Sequence, residues 1–222
     1  MTGRPRAGRS GAGRNGGIPT DARIRALHEK YAPTRAAFDL VYTHCQIVCA
    51  LAEHIAARQP DGLDVDIELV RAGALLHDLG VYQLYDSTGV LDYQNYIRHG
   101  VLGRDVLRDL GFPDLLCRFC SCHTGVGLSR ADVQAQGLPI PPADYLAEST
   151  EEELVMYADK FHSKSTPPRF VTSAAYEASV RRFGPDKAER FTLMVKRWGE
   201  PDLGPFARAH GMPIRGPRPE AG

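Results

Sequence analysis

Residues 66–80 read DIELVRAGALLHDLG, and this stretch decides how the rest of the chain is understood. Asp66 is a good helix N-cap, and Leu69, Val70, Ala74 and Leu75 follow at helical spacing. Gly80 reads as the C-terminal stop. The pattern predicts a helix whose last turn carries His77 and Asp78, about 100° apart around the axis and able to face one ion. Neutral imidazole nitrogen and carboxylate oxygen suit divalent zinc, iron and manganese.

Working outward, similar groups recur at intervals. Upstream, Leu40, His44, Val48, Leu51 and Ile55 form one face of a helix predicted over Thr34 to Arg58, with His44 in the apolar stripe. Downstream, a helix over Tyr96 to Leu110 aligns His99, Leu102, Val106 and Leu110. Gly111 and Pro113 end it, and Asp114 to His123 aligns Leu116, Phe119 and His123. Residues 125–149 are loop-rich, with one helical turn from Ser129, and are a candidate lid. A capping box at Thr150 to Glu153 opens a helix carrying Val155, Asp159 and His162 on one side. Two helices, Val171 to Phe183 and Asp186 to Trp198, complete an all-α bundle of about seven helices with almost no strand signal. One such histidine is more often a satisfied core residue than a ligand. Six groups beside apolar faces, His44, His77, Asp78, His99, His123 and Asp159, point instead to a buried metal site.

Bulk properties narrow the field. Lys plus Arg and Asp plus Glu number 27 each in 222 residues, so neither duplex nucleic acid nor an anionic membrane surface is the expected partner. No apolar run spans a bilayer. The N-terminal arginines have no apolar segment behind them, so the chain is expected to work in the cytoplasm with its five cysteines reduced. Residues 1–20 hold six glycines, four arginines and no acid, which reads as a disordered tail. The folded domain is expected over 21–210, with a flexible tail at 211–222.

The spaced pattern H…HD…H…H…D, seen here as His44, LLHDLG at 75–80, IRHGVLGRDVLRDLGFP at 97–113, CHTGVGLS at 122–129 and YADKFHSKS at 157–165, resembles the HD-domain superfamily of metal-dependent phosphohydrolases. It is most like small single-domain bacterial members of the HDIG type, over about residues 24–200. The resemblance implies His44, His77, Asp78 and Asp159 as core ligands, with His99 and His123 holding a second ion. One or two divalent ions are expected: manganese, iron, zinc, nickel or magnesium. Asp78 would bridge and orient the nucleophile, and His99 or His123, where not ligating, would protonate the leaving oxygen. Val81 stands where a lysine often follows HD-I-G, and no GYP motif is present; both argue against a cyclic-dinucleotide phosphodiesterase.

The implied activity is hydrolysis of a nucleotide or another small phosphate ester. A dinuclear iron oxygenase and a non-catalytic metal-binding scaffold are the alternatives. Arg98, Lys160 and Lys164 are candidates for substrate phosphate, against the ordinary reading as solvated charges. Cys117, Cys120, Cys122 and His123 lie within seven residues, too compact for a tetrahedral zinc site, and are expected to be packed thiols. A leftover apolar helix face would suit a homodimer.

Overall fold

In the computed structural model, which describes residues 17–60 and 64–217, α1 (Asp21–Tyr31), α2 (Arg35–Ala56) and α3 (Ile67–Leu76) come first. α4 (His99–Asp109), α5 (Asp114–Cys122), α6 (Arg130–Ala135) and α7 (Thr150–Asp159) follow. α8 (Ser173–Val180), α9 (Pro185–Trp198) and α10 (Leu203–His210) complete the helices. Three short strands, β1 (His162–Ser163), β2 (Arg169–Val171) and β3 (Ile214–Arg215), form one small sheet in that order. β1 and β2 are antiparallel, β2 and β3 parallel.

The fold is all-α in character, as the periodicity implies, with ten helices among the described residues rather than seven. The additional three are weakly amphipathic or short. α1 buries only Ile24 and His28, α6 only Val133, and α10 only Leu203 and Ala207. No described helix is long and apolar enough to cross a membrane.

α2 is the spine. The Thr34 hydroxyl accepts from the Ala37 amide and starts it. Its buried stripe of Val41, His44, Val48, Leu51 and Ile55 packs on α3 and α7. Leu51 and Ile55 are essentially inaccessible, and burying each contributes about 1.5–3 kcal/mol. α4 lies against α5 and against a tight 3-10 turn, Leu79–Leu84, that follows the His-Asp pair.

Four local expectations are corrected. α3 ends at Leu76, so His77 is its C-cap and Asp78 stands outside the helix, where the Val81 amide donates to its carbonyl and tightens the chain. The capping box is Ser149 with Glu152, one residue earlier than expected; Glu152 is buried there because Arg118 pairs with it at 2.7 Å. The stretch 125–149 is no lid over the cavity described below. It forms a satellite core of Val101, Val133 and Tyr145, closed by a Leu128–Tyr145 bridge. Of the expected C-terminal tail, residues 211–217 are structured: the Phe170 amide donates to the Pro213 carbonyl and the Thr172 amide to that of Arg215. Composition hid this, because a two-residue strand draws its order from its partner strand. Most of the expected N-terminal tail, and residues 218–222, lie outside the described residues.

α1 is tied to the centre by His28, whose Nδ1 lies 2.9 Å from the Tyr82 hydroxyl and Nε2 2.8 Å from the Leu75 carbonyl. The carbonyl can only accept, so Nε2–H donates and Nδ1 accepts from tyrosine. Burial pulls the His28 pKa down to about 4. The unfolded chain takes up this proton near pH 6.5, so stability is complete above that value and falls as pH drops toward 4. Between pH 7 and 4.5 the parent should lose about 2 kcal/mol more than His28→Gln. Urea unfolding at the two pH values measures the difference; equal losses would contradict it.

Candidate metal centre

Five segments bring the ligand-type side chains together. The middle of α2 supplies His44, the end of α3 supplies His77 and Asp78, α4 begins at His99, and His123 caps α5. Asp159, the last residue of α7, closes the set. Three overlapping groups have ligand atoms within 4.8 Å of one another: His44, His77 and Asp78; His77, His123 and Asp159; and Asp78, His99 and His123.

Asp78 is the hinge of this cluster. Its Oδ2 lies 3.2 Å from His44 Nε2 and 3.5 Å from His77 Nε2, and Asp159 Oδ1 lies 3.0 and 3.6 Å from the same two nitrogens. On its other side, Asp78 Oδ1 is 3.6 Å from His99 Nε2 and 3.7 Å from His123 Nε2. That oxygen is fully buried without a hydrogen-bond partner.

The outer nitrogens explain why. His77 Nδ1 is 2.7 Å from the Ala74 carbonyl, His99 Nδ1 2.6 Å from that of Tyr96, and His123 Nδ1 3.0 Å from that of Phe119. A carbonyl accepts, so each Nδ1 carries a proton and a neutral ring turns its Nε2 lone pair inward. His99 and His123 Nε2 then face each other at 2.9 Å as two acceptors, with Asp78 Oδ1 as a third. Three buried acceptors without a donor repel one another until a cation stands among them. This donor set fits a divalent ion.

Electrostatics agree for His44, His99 and His123. Burial lowers the pKa of His44 to about 4 and holds His99 and His123 below the ordinary histidine value, so these rings stay neutral. His77 differs: burial disfavours its charged form, but Asp78, Cys45 and Asp159 together outweigh burial and raise its pKa well above the usual value, so this ring takes a second proton more readily than the other three. Burial works against both carboxylates, but Lys164 with His77, His44 and His99 around Asp78, and Lys160 with His44 and His77 around Asp159, together hold them well below the usual range.

The cluster opens at Asp159 and Lys164 onto a cavity of about 400 Å³. Its walls include Leu91, Tyr85, Tyr96, Tyr176, Lys164 and Arg215. Lys164 contacts Asp78 Oδ2, so it supplies next to the His-Asp pair the cation that Val81 does not. Lys160 is buried and committed to Asp159 Oδ2 at 2.7 Å and the His123 carbonyl at 2.8 Å; its charge anchors the cluster. Arg98 is exposed and does not line the cavity; Arg215, from β3, does. Composition marked 211–222 as tail, which concealed it.

His162 is not among the six groups of the spaced pattern, yet its Nδ1 lies 2.8 Å from His44 Nδ1. The chain turns into β1 after α7, so His162 leaves the helical face that periodicity assigned to it. The cysteines are all buried and free, and none belongs to a metal-type group among the described residues. Cys117 and Cys120 direct their thiols at the Phe112 and Leu76 carbonyls.

Comparison with known proteins gives three kinds of likeness. The chain is 38% identical over 120 residues to the uncharacterized protein MJ0778 of Methanocaldococcus jannaschii, covering 54% of this chain and 64% of that one. It is 34% identical over 125 residues to a tRNA (cytidine(56)-2'-O)-methyltransferase of Picrophilus torridus, covering 56% of this chain and 32% of the relative. A protein of the same name from Thermoplasma volcanium is 36% identical over 142 residues, covering 64% and 36%. The matches therefore span less than two thirds of each of these relatives. Among solved structures, the HD domain of the L. monocytogenes phosphodiesterase PgpH is similar at 16% identity and TM-score 0.46, over 78% of this chain and 96% of that one. The same domain in complex with cyclic-di-AMP gives 14% and 0.48, over 87% and 99%. Finally, the HD domain family matches residues 41–164, which carry all six clustered ligand-type residues, and the chain belongs to that family.

Proposed function

We propose that this chain is a metal-dependent phosphoric ester hydrolase acting on a nucleotide or another small phosphate ester. The family membership and the His/Asp clusters support a metal-dependent hydrolase in general terms. The observation that carries the finer reading is the two-sided Asp78 carboxylate. Oδ2 is shared with His44 and His77, and the orphaned Oδ1 with His99 and His123. A carboxylate so placed can bridge two divalent ions.

In this assignment His44, His77, Asp78 and Asp159 would hold one ion, and Asp78, His99 and His123 would hold the other. Bound divalent metal supplies hydroxide near neutral pH and neutralises the phosphoryl oxygens. Asp78 would help orient that hydroxide toward phosphorus. His99 and His123 act as ligands rather than acids, since each Nδ1–H is spent on a backbone carbonyl and only Nε2 faces the centre. Lys164, between Asp78 and the cavity, receives the phosphate and orients it toward the centre. The remaining cavity walls, rich in tyrosine, accommodate the organic part of the ester and exclude water around it.

The test pairs elemental analysis of protein purified without oxygen or added metal with a manganese-supplemented panel of nucleotides and aryl phosphates. Phosphate release dependent on divalent metal and reduced by Lys164→Ala is the expected result. The complete set of six ligands also suits a dinuclear iron oxygenase. Two irons per chain with substrate-dependent oxygen uptake and no phosphate release would replace the hydrolase reading with that one. A chain that binds no metal would leave the non-catalytic scaffold.

A further inference from the structure

The other three histidines of the cluster each anchor Nδ1 on a backbone carbonyl three or four residues earlier. His44, in the middle of α2, instead meets the ring of a residue 118 positions away: its Nδ1 lies 2.8 Å from His162 Nδ1. The two ring centroids are 5.1 Å apart, and the His162 ring is held edge-on against Phe170 at 5.2 Å. The remaining nitrogen of His162, Nε2, lies 3.3 Å from the Met212 sulfur. Both nitrogens of His162 are thus engaged by the protein.

Of two Nδ1 atoms at hydrogen-bond distance, one donates and the other accepts. A thioether can only accept, so Met212 favours the proton of His162 on Nε2 and leaves its Nδ1 lone pair free. That lone pair accepts from His44 Nδ1–H, and His44 keeps its own lone pair on Nε2, facing Asp78 and Asp159. The opposite pair of tautomers would set a nitrogen lone pair against sulfur and place a proton on His44 where a cation has to bind.

We propose that His162, itself oriented by Met212, is the positioning residue that holds His44 as an Nε2 ligand. This rests on the ligand assignment above. His162 acts through His44 and not on substrate, because neither of its nitrogens is left for the cavity. It also gives Met212, in the connection between α10 and β3 and beyond the residues matched to the family, a part in organising the centre.

The test measures zinc dissociation constants of the full chain by competition with a chromogenic chelator, for the parent, His162→Leu and His162→Asn. Leucine offers no acceptor; asparagine carries a carbonyl oxygen near the position of Nδ1. His162→Leu should bind zinc about 10- to 100-fold more weakly, and His162→Asn within about threefold of the parent. Nitrogen-15 NMR of the zinc-loaded parent should find His44 protonated on Nδ1 and His162 on Nε2, which needs no variant to fold. Unchanged affinity in His162→Leu, equal losses in both variants, or the opposite tautomers would overturn the proposal and leave the ligand assignment standing. A parent that binds no zinc would overturn both.

Discussion

Asp78→Ala should leave a chain without bound divalent metal and lower metal-dependent phosphate release by about three orders of magnitude or more. The reason is that one carboxylate serves both halves of the cluster. Removing an ordinary ligand, such as His99, leaves two donors on its side and an intact set on the other. Removing Asp78 takes a donor from each side and separates them. Stability falls as well, because Lys164 loses its partner, and breaking a buried charge pair from one side costs about 3–5 kcal/mol. Asp78→Ala combined with Lys164→Met removes both charges and should recover much of that stability while recovering no metal. Elemental analysis and urea unfolding of the two variants separate the effects. Metal retained in Asp78→Ala would contradict the bridging assignment.

Gly80→Ala should be the most damaging single methyl group that can be added near the site. A Cβ on Gly80 would overlap the His99 carbonyl oxygen and the Gly103 amide nitrogen, both backbone atoms of α4. No rotamer change relieves such a collision, so the cost should sit at or above the upper end of the overpacking range, about 3 kcal/mol. For a chain of this size that is about 10 °C in Tm. The displaced helix begins with His99, so divalent-ion affinity should fall together with stability. Gly137→Ala is the control: it carries φ +58° with open space around it, and costs only the left-handed backbone penalty of about 1 kcal/mol. Calorimetry on both variants decides, and equal shifts would refute the close-approach argument. The amino-acid pattern reads Gly80 as a helix stop, whereas its role lies in contact with a helix some twenty residues on.

Much of the fold was legible because helix signals are local. Apolar residues at steps of three and four, with Asp66 as a cap, predict α2 and α3 closely. α1 and α10 lie outside the expected helices, and α6 is expected only as one turn from Ser129, because so few of their residues are buried that their patterns are faint. Among the cations, charge together with closeness in sequence to His99 and Asp159 nominates Arg98, Lys160 and Lys164. Arg98 points to solvent, Lys160 is committed to Asp159, and Arg215 was not considered.

What the amino-acid order alone determined is the chemistry available: helices with one apolar face, and six imidazole and carboxylate groups carried on or beside those faces. Ligand type and helical period are properties of residue identity and short spacing, and both survive in a one-dimensional string. Tertiary structure decided how those groups are held. It sets which oxygen of Asp78 faces which pair of histidines and which lysine meets the His-Asp pair. It also brings His162 and Met212 behind His44. These pairings join residues tens to more than a hundred positions apart, and they follow from packing helices and strands around a common core, which no local spacing encodes.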